Sequence, residues 1–130
     1  MKKVLFVCVH NSGRSQMAEA FFNHWSTVKA LAASAGTEPA KYINPAVAQA
    51  MIEDGIDISK QQPKMLTPDM AKNADRIITM GCGVENICPV SSISQEDWGI
   101  DDPAGEPIVK VRQIREAIKT RVAALIRELE

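Results

Sequence analysis

No stretch of this chain approaches the roughly 20 consecutive apolar residues that a membrane-spanning helix needs, so no membrane association is expected. Charge of one sign is missing too. Fifteen Lys and Arg stand against 16 Asp and Glu, a formal net charge of −1. That leaves no broad basic surface for a phosphate backbone, and nucleic acid is not an expected partner. Internal repeats, low-complexity tracts and linkers are absent, which predicts a single domain over residues 1–130, acting as a monomer. A secretory leader is not expected either. The apolar run after Lys2-Lys3 is short of the roughly 7–15 residues of such a leader's core, and His10-Asn11-Ser12-Gly13-Arg14 follows it without a small-residue cleavage site. The expected location is the cytoplasm. Only three cysteines are present, an odd number and too few for a disulfide framework. What the chain does have is 45% hydrophobic residues over 130 positions, enough to bury a real core.

Short apolar runs alternate with helical patterns. Lys3–Val7 is a continuous, β-branched-rich run that reads as a strand buried on both faces. After the polar loop Cys8–Gly13, Met17, Phe21 and Trp25 recur at spacing four, with Ala18 and Phe22 alongside, which predicts a helix from Arg14. A second run, Val28–Ala33, ends at Ser34-Ala35-Gly36. Asn44-Pro45 and Thr67-Pro68-Asp69 are helix starts, a capping side chain followed by Pro at the first helical position. Gly55 stops the first of these helices, and the second runs to about Asn73. Arg76–Met80 reads as a core strand and the region of Trp98 as a short fourth one. Val111, Ile114, Ile118, Val122, Leu125 and Leu129 make a long amphipathic helix from about Pro107, with Arg112, Arg115, Lys119 and Arg127 on its solvated face. The alternation predicts an α/β fold, a mostly parallel four-stranded sheet flanked by helices. Such sheets bind ligands at the carboxyl ends of their strands, where the loops at Cys8 and Cys82 both start.

Cys8-Val9-His10-Asn11-Ser12-Gly13-Arg14-Ser15 places a thiol at a strand end and an arginine at a helix start. A helix N-terminus offers unpaired N–H groups and the positive end of a dipole, which attract oxyanions. Asn11 and Gly13 tolerate left-handed backbone, so the amides of Val9, His10, Asn11, Ser12 and Gly13 can curl into an anion nest. Arg14 can close the ring with a bidentate grip on two oxygens. The same positive field favours the Cys8 thiolate, and Ser15 is placed to donate a hydrogen bond to its sulfur. An isolated Val-Cys-Val would instead be an inert strand end; the Cys-x5-Arg-Ser spacing argues for the nucleophile. His10 reads as a rim residue and His24 as helix surface. Cys82 and Cys88, five residues apart, offer too few ligands at the wrong spacing for zinc, and no metal is expected. Asp101-Asp102-Pro103 holds two carboxylates on a rigid turn.

These residues resemble the low-molecular-weight protein tyrosine phosphatases, and within them the arsenate reductases. Cys-x5-Arg-Ser carries the likeness, with Met17-Ala18-Glu19-Ala20, Gly55-Ile56-Asp57-Ile58-Ser59, Thr79-Met80-Gly81-Cys82 and the run Trp98–Gly105. The resemblance implies that Asp102 is a general acid, protonating the leaving oxygen as the Cys8 thiolate attacks. It implies a three-cysteine relay: Cys8 attacks arsenate, Cys82 attacks Cys8 and releases arsenite, and Cys88 attacks Cys82 to leave a disulfide for thioredoxin. Phosphate and sulfate would compete as oxyanions, and no cofactor is implied.

Three departures matter. Ala104 stands where the phosphatases carry a Tyr that shapes an aromatic cleft, which argues against phosphotyrosine. Gln62 and Lys64 stand where some relatives have Thr and Asp as potassium ligands beside Asn11 and Ser34, so no structural potassium is expected. The last two cysteines are one residue closer than in well-known thioredoxin-coupled members, leaving a low-molecular-weight thiol such as mycothiol open as reductant. Two rivals stay open as well: a phosphatase using Cys8, Arg14 and Asp102, and a phosphocysteine carrier module.

Overall fold

The computed structural model describes residues 2–26, 30–80 and 94–129. Its sheet has four parallel strands in the order β2-β1-β3-β4, formed by β1 (Lys2–Cys8), β2 (Ala30–Gly36), β3 (Arg76–Thr79) and β4 (Ser94–Asp97). The helices are α1 (Arg14–Trp25), α2 (Pro45–Glu53), α3 (Pro68–Asn73) and α4 (Ile108–Leu129). Both Pro-led starts form as their sequences require. Asn44 Oδ1 accepts the Ala46 N–H at 2.9 Å and Thr67 Oγ1 accepts the Met70 N–H at 3.2 Å.

Alternation along β1 divides the core. Val4, Phe6 and Cys8 face α1 and α4, packing with Phe21, Phe22, Ile114 and Ile118. Leu5 and Val7 face the other way, towards Ala71 and Ala74. The Cys8 side chain is therefore on the helix-rich side. Because β1 lies between β2 and β3, the chain reverses direction of travel across the sheet at the carboxyl end of β1, where a crevice opens.

The fourth strand, Ser94–Asp97, ends next to Trp98, in the region the sequence reading gave it, and pairs with β3 at the sheet edge. Trp98 and Ile100 are buried just beyond it, and their N–H groups donate to Thr79 O (2.9 Å) and Met80 O (3.0 Å). One feature departs from the sequence reading: Arg112, Arg115 and Lys119 are not simply solvated. Arg112 and Arg115 grip Glu53 at 2.8–3.2 Å, and Lys119 lies 3.1 Å from Asp54, tying α4 to the C-terminus of α2. Acidic residues are unfavourable at a helix C-terminus, and these cations offset them.

Candidate active site

The loop leaving β1 is turned inside out relative to a solvent loop. The carbonyls of Cys8, Val9, His10 and Ser12 point outward, accepting the N–H groups of Thr37, Glu38, Ala40 and Asn44 at 2.8–3.3 Å. A carbonyl and the amide of the next residue point in opposite directions, so the N–H groups of Val9, His10, Asn11 and Gly13 face the concave side. The Asn11 N–H there reaches Cys8 Sγ at 3.2 Å. Asn11 has φ 51°, the left-handed conformation that Asn tolerates better than most side chains. Gly13 behaves differently from the sequence reading. Its φ is −143°, and what the position requires is room: a Cβ there would stand 2.9 Å from Pro103 Cγ. A Cβ at Gly36 would stand 2.5 Å from Val9 O, so the end of β2 also has to be bare for the loop to pass.

Behind the sulfur runs an ordered chain of hydrogen bonds. The Lys64 backbone N–H can only donate, and it lies 2.9 Å from Asn11 Oδ1, which fixes which end of that amide is oxygen. Asn11 Nδ2 then donates to Ser15 Oγ at 2.7 Å, and the Ser15 hydroxyl hydrogen is left for Cys8 Sγ, 2.8 Å away. Gln16 Nε2 donates both to Asn11 Oδ1 (3.0 Å) and to Gln62 O (3.2 Å). Cys8, Asn11, Ser15 and Gln16 are all buried. Gln16 Oε1 is buried without a partner among the described residues.

Arg14, 2% exposed, lies at the helix end of the loop. Its Nη1 donates to Met80 O (3.2 Å) and Ile100 O (3.1 Å), the carbonyls just beyond β3 and β4. Its Nη2 lies 3.8 Å from Asp102 Oδ2, an ion pair across the mouth. Asp102 Oδ1 accepts the Ala104 N–H at 3.0 Å, while Asp101 turns away to Lys110 Nζ at 2.9 Å. The pocket between these groups measures about 10 Å³ and is walled by Cys8, His10, Ser12, Gly13, Arg14, Asn44, Asp102, Pro103 and Ala104.

The structure thus brings Cys8, Asn11, Arg14, Ser15 and Asp102 to one place, with His10 on its exposed rim, Nδ1 3.1 Å from Glu38 O. Cys82 and Cys88, expected to complete a relay, lie outside the described residues. Beside the loop, Glu19 accepts from Ser34 Oγ at 2.8 Å and lies 3.8 Å from Lys64 Nζ. Sequence reading overlooked Gln16 and Asn44. Gln16 adjoins the Met17 stripe and looks like helix surface; Asn44 reads only as a cap. A polar residue beside an apolar stripe in the turn after a strand-end cysteine is the available signal for Gln16.

The family model of low molecular weight phosphotyrosine protein phosphatases matches residues 3–130. A glutaredoxin arsenate reductase of Synechocystis sp. is 39% identical over 132 residues, covering 99% of this chain and 99% of its own. A solved arsenate reductase in a phosphate-binding state superposes with TM-score 0.88 at 38% identity, covering 100% of both chains. A thioredoxin-dependent arsenate reductase of Corynebacterium glutamicum superposes with TM-score 0.83 at 38% identity, and the present chain, covered in full, spans 64% of that longer one.

Proposed function

Because the chain belongs to the low molecular weight phosphotyrosine protein phosphatase family, we propose that it turns that family's anion loop to the reduction of arsenate to arsenite. One observation carries the choice of substrate: among the described residues the pocket wall holds no Phe, Tyr or Trp, and Ala104 closes it. At about 10 Å³ the space is far below the roughly 300–1,000 Å³ of pockets that enclose larger organic ligands. The donor set, inward-facing amides beside one arginine, suits a tetrahedral oxyanion. Arsenate and phosphate are alike in shape, but only arsenic(V) readily accepts two electrons from thiols, and this chain carries two thiols beyond Cys8.

In this reading the Cys8 thiolate, held by the Ser15 hydroxyl and the Asn11 amide, attacks arsenic. Asp102, exposed to solvent at the mouth, gives its proton to the departing oxygen, which leaves as water. The Val9–Gly13 amides and Arg14 bear the anion's charge. Cys82 then attacks the Cys8 sulfur: an S–S bond forms, the S–As bond breaks, and its electron pair leaves with arsenic as arsenite. Cys88 attacks Cys82, freeing Cys8 and leaving a Cys82–Cys88 disulfide. Thioredoxin is the proposed reductant, and the cytoplasm, where thiols stay reduced, the proposed location.

The decisive assay is arsenate-dependent NADPH oxidation with thioredoxin and thioredoxin reductase, run beside p-nitrophenyl phosphate hydrolysis. Multiple turnover of arsenate is expected, lost in Cys8→Ser, Cys82→Ser and Cys88→Ser alike. Weak phosphatase turnover should survive in Cys82→Ser and Cys88→Ser only. Full arsenate turnover by Cys82→Ser would sink the relay, and phosphatase activity without arsenate turnover would make the chain a phosphatase.

A further inference from the structure

We propose that Gln16 is a positioning residue for the Cys8 nucleophile, acting through Asn11 and Ser15. The inference rests on reading Cys8 as the nucleophile but not on arsenate as its target. Gln16 is completely buried and is not among the residues that wall the pocket. Its two amide hydrogens go to Asn11 Oδ1 at 3.0 Å and Gln62 O at 3.2 Å. Both acceptors are carbonyl oxygens, so the nitrogen end must face them and Gln16 Oε1 is turned onto no partner among the described residues.

Every hydrogen bond in this chain consequently runs one way. Gln16 and the Lys64 N–H donate to the Asn11 oxygen, Asn11 Nδ2 donates to Ser15 Oγ, and Ser15 points its hydrogen at Cys8 Sγ. Donation to the oxygen of an amide makes its N–H groups better donors, and the effect passes along a chain in a low-dielectric interior. At the far end it favours negative charge on sulfur. Gln16 also pins residue 62 to the helix that follows the anion loop, so the donor to Asn11 from residue 64 keeps its place. An apolar side chain of similar length would fill the same volume but would give no donor to Asn11 Oδ1 or Gln62 O. The direction of donation is what an apolar side chain at this position could not supply.

The test separates direction from packing. Alkylation of Cys8 by iodoacetamide, followed by peptide-resolved mass spectrometry at pH 6 and pH 9, reads the thiolate without any substrate. Thermal unfolding reads the packing. Gln16→Met should react about tenfold more slowly at pH 6, converge with wild type at pH 9, and melt at an unchanged or higher temperature. Gln16→Glu, which has no hydrogen for Asn11 and adds charge near the sulfur, should be slower still at pH 6. A lower melting temperature with an unchanged pH profile would make Gln16 a packing residue and overturn the proposal. So would equal slowing at both pH values, which reports access. If wild-type Cys8 itself reacts at pH 6 no faster than in the urea-unfolded chain, the nucleophile reading falls and the proposal with it.

Discussion

Gly13 shows how one missing methyl group can place a carboxylate. Pro103 Cγ would lie 2.9 Å from a Cβ at position 13, and Val47 Cγ2 3.4 Å from it. Pro103 is buried on that bare backbone, and its neighbour Asp102 is thereby set 3.8 Å from Arg14. Gly13→Ala must push the Asp102 turn outward. A displacement near 1 Å at a catalytic group can cost about 100-fold in rate, so kcat should fall by about 10- to 100-fold while the protein still folds. Trimming the clashing ring in Gly13→Ala/Pro103→Ala should recover part of that loss; steady-state kinetics on the three proteins decide it. Sequence reading reached this residue for another reason, its tolerance of left-handed backbone. The neighbour that truly needs bareness at position 13 is 90 positions away, beyond the reach of any local pattern.

Among the elements, α1 is the one that periodicity describes least completely. Its residues from Arg14 to Phe22 are all buried, polar ones included, because the helix lies between the sheet, α4 and the segment around residues 61–64. The apolar stripe marks one face; Gln16 and Glu19 are buried against other chain segments. α4 was legible as an amphipathic helix, but the partners of its cations were not. There, the Arg112 hydrogen bonds, with Arg115 assisting, hold the Glu53 carboxyl down to about 2. A carboxylate whose proton affinity is lowered by folding stabilises the native state above its ordinary range, and that contribution fades as pH falls from about 4.5 through about 2. Urea unfolding of Glu53→Gln should accordingly show a lower midpoint than wild type at pH 7. The two should draw together as pH approaches 2, and a constant gap across that range would assign the loss to packing instead.

For the molecule as a whole, the carboxyl ends of β1, β3 and β4 converge on one anion loop, so a bound oxyanion links three segments far apart in sequence: the loop itself, the backbone after β3 and the Asp102 turn. Binding that favours only the native state raises stability by about 2.7 kcal/mol at 100 times the dissociation constant. For a chain of 130 residues that is an upward shift in melting temperature on the order of 10 °C. Phosphate, sulfate and arsenate should each produce it at constant ionic strength, chloride should not, and Arg14→Ala should abolish it. Calorimetry checks this without turnover, and an equal shift with chloride would remove the anion site.

The chain's own order determined what is local. A buried strand ending at Cys8, a helix starting at Arg14 and the rigid turn at Asp102-Pro103 follow from apolar spacing and backbone preference over a few residues. The scarcity of net charge follows too, since an anion site built from amides and one arginine needs no basic surface. Only the tertiary structure decided which polar groups those elements meet. Asn11 with the Lys64 amide, Arg14 with the Ile100 carbonyl and Gly13 with Pro103 are pairs brought together by folding across the sheet edge. Periodicity records which side of an element avoids water. It carries no record of the hydrogen-bond partner waiting there, and the direction of the bonds behind Cys8 depends on that partner.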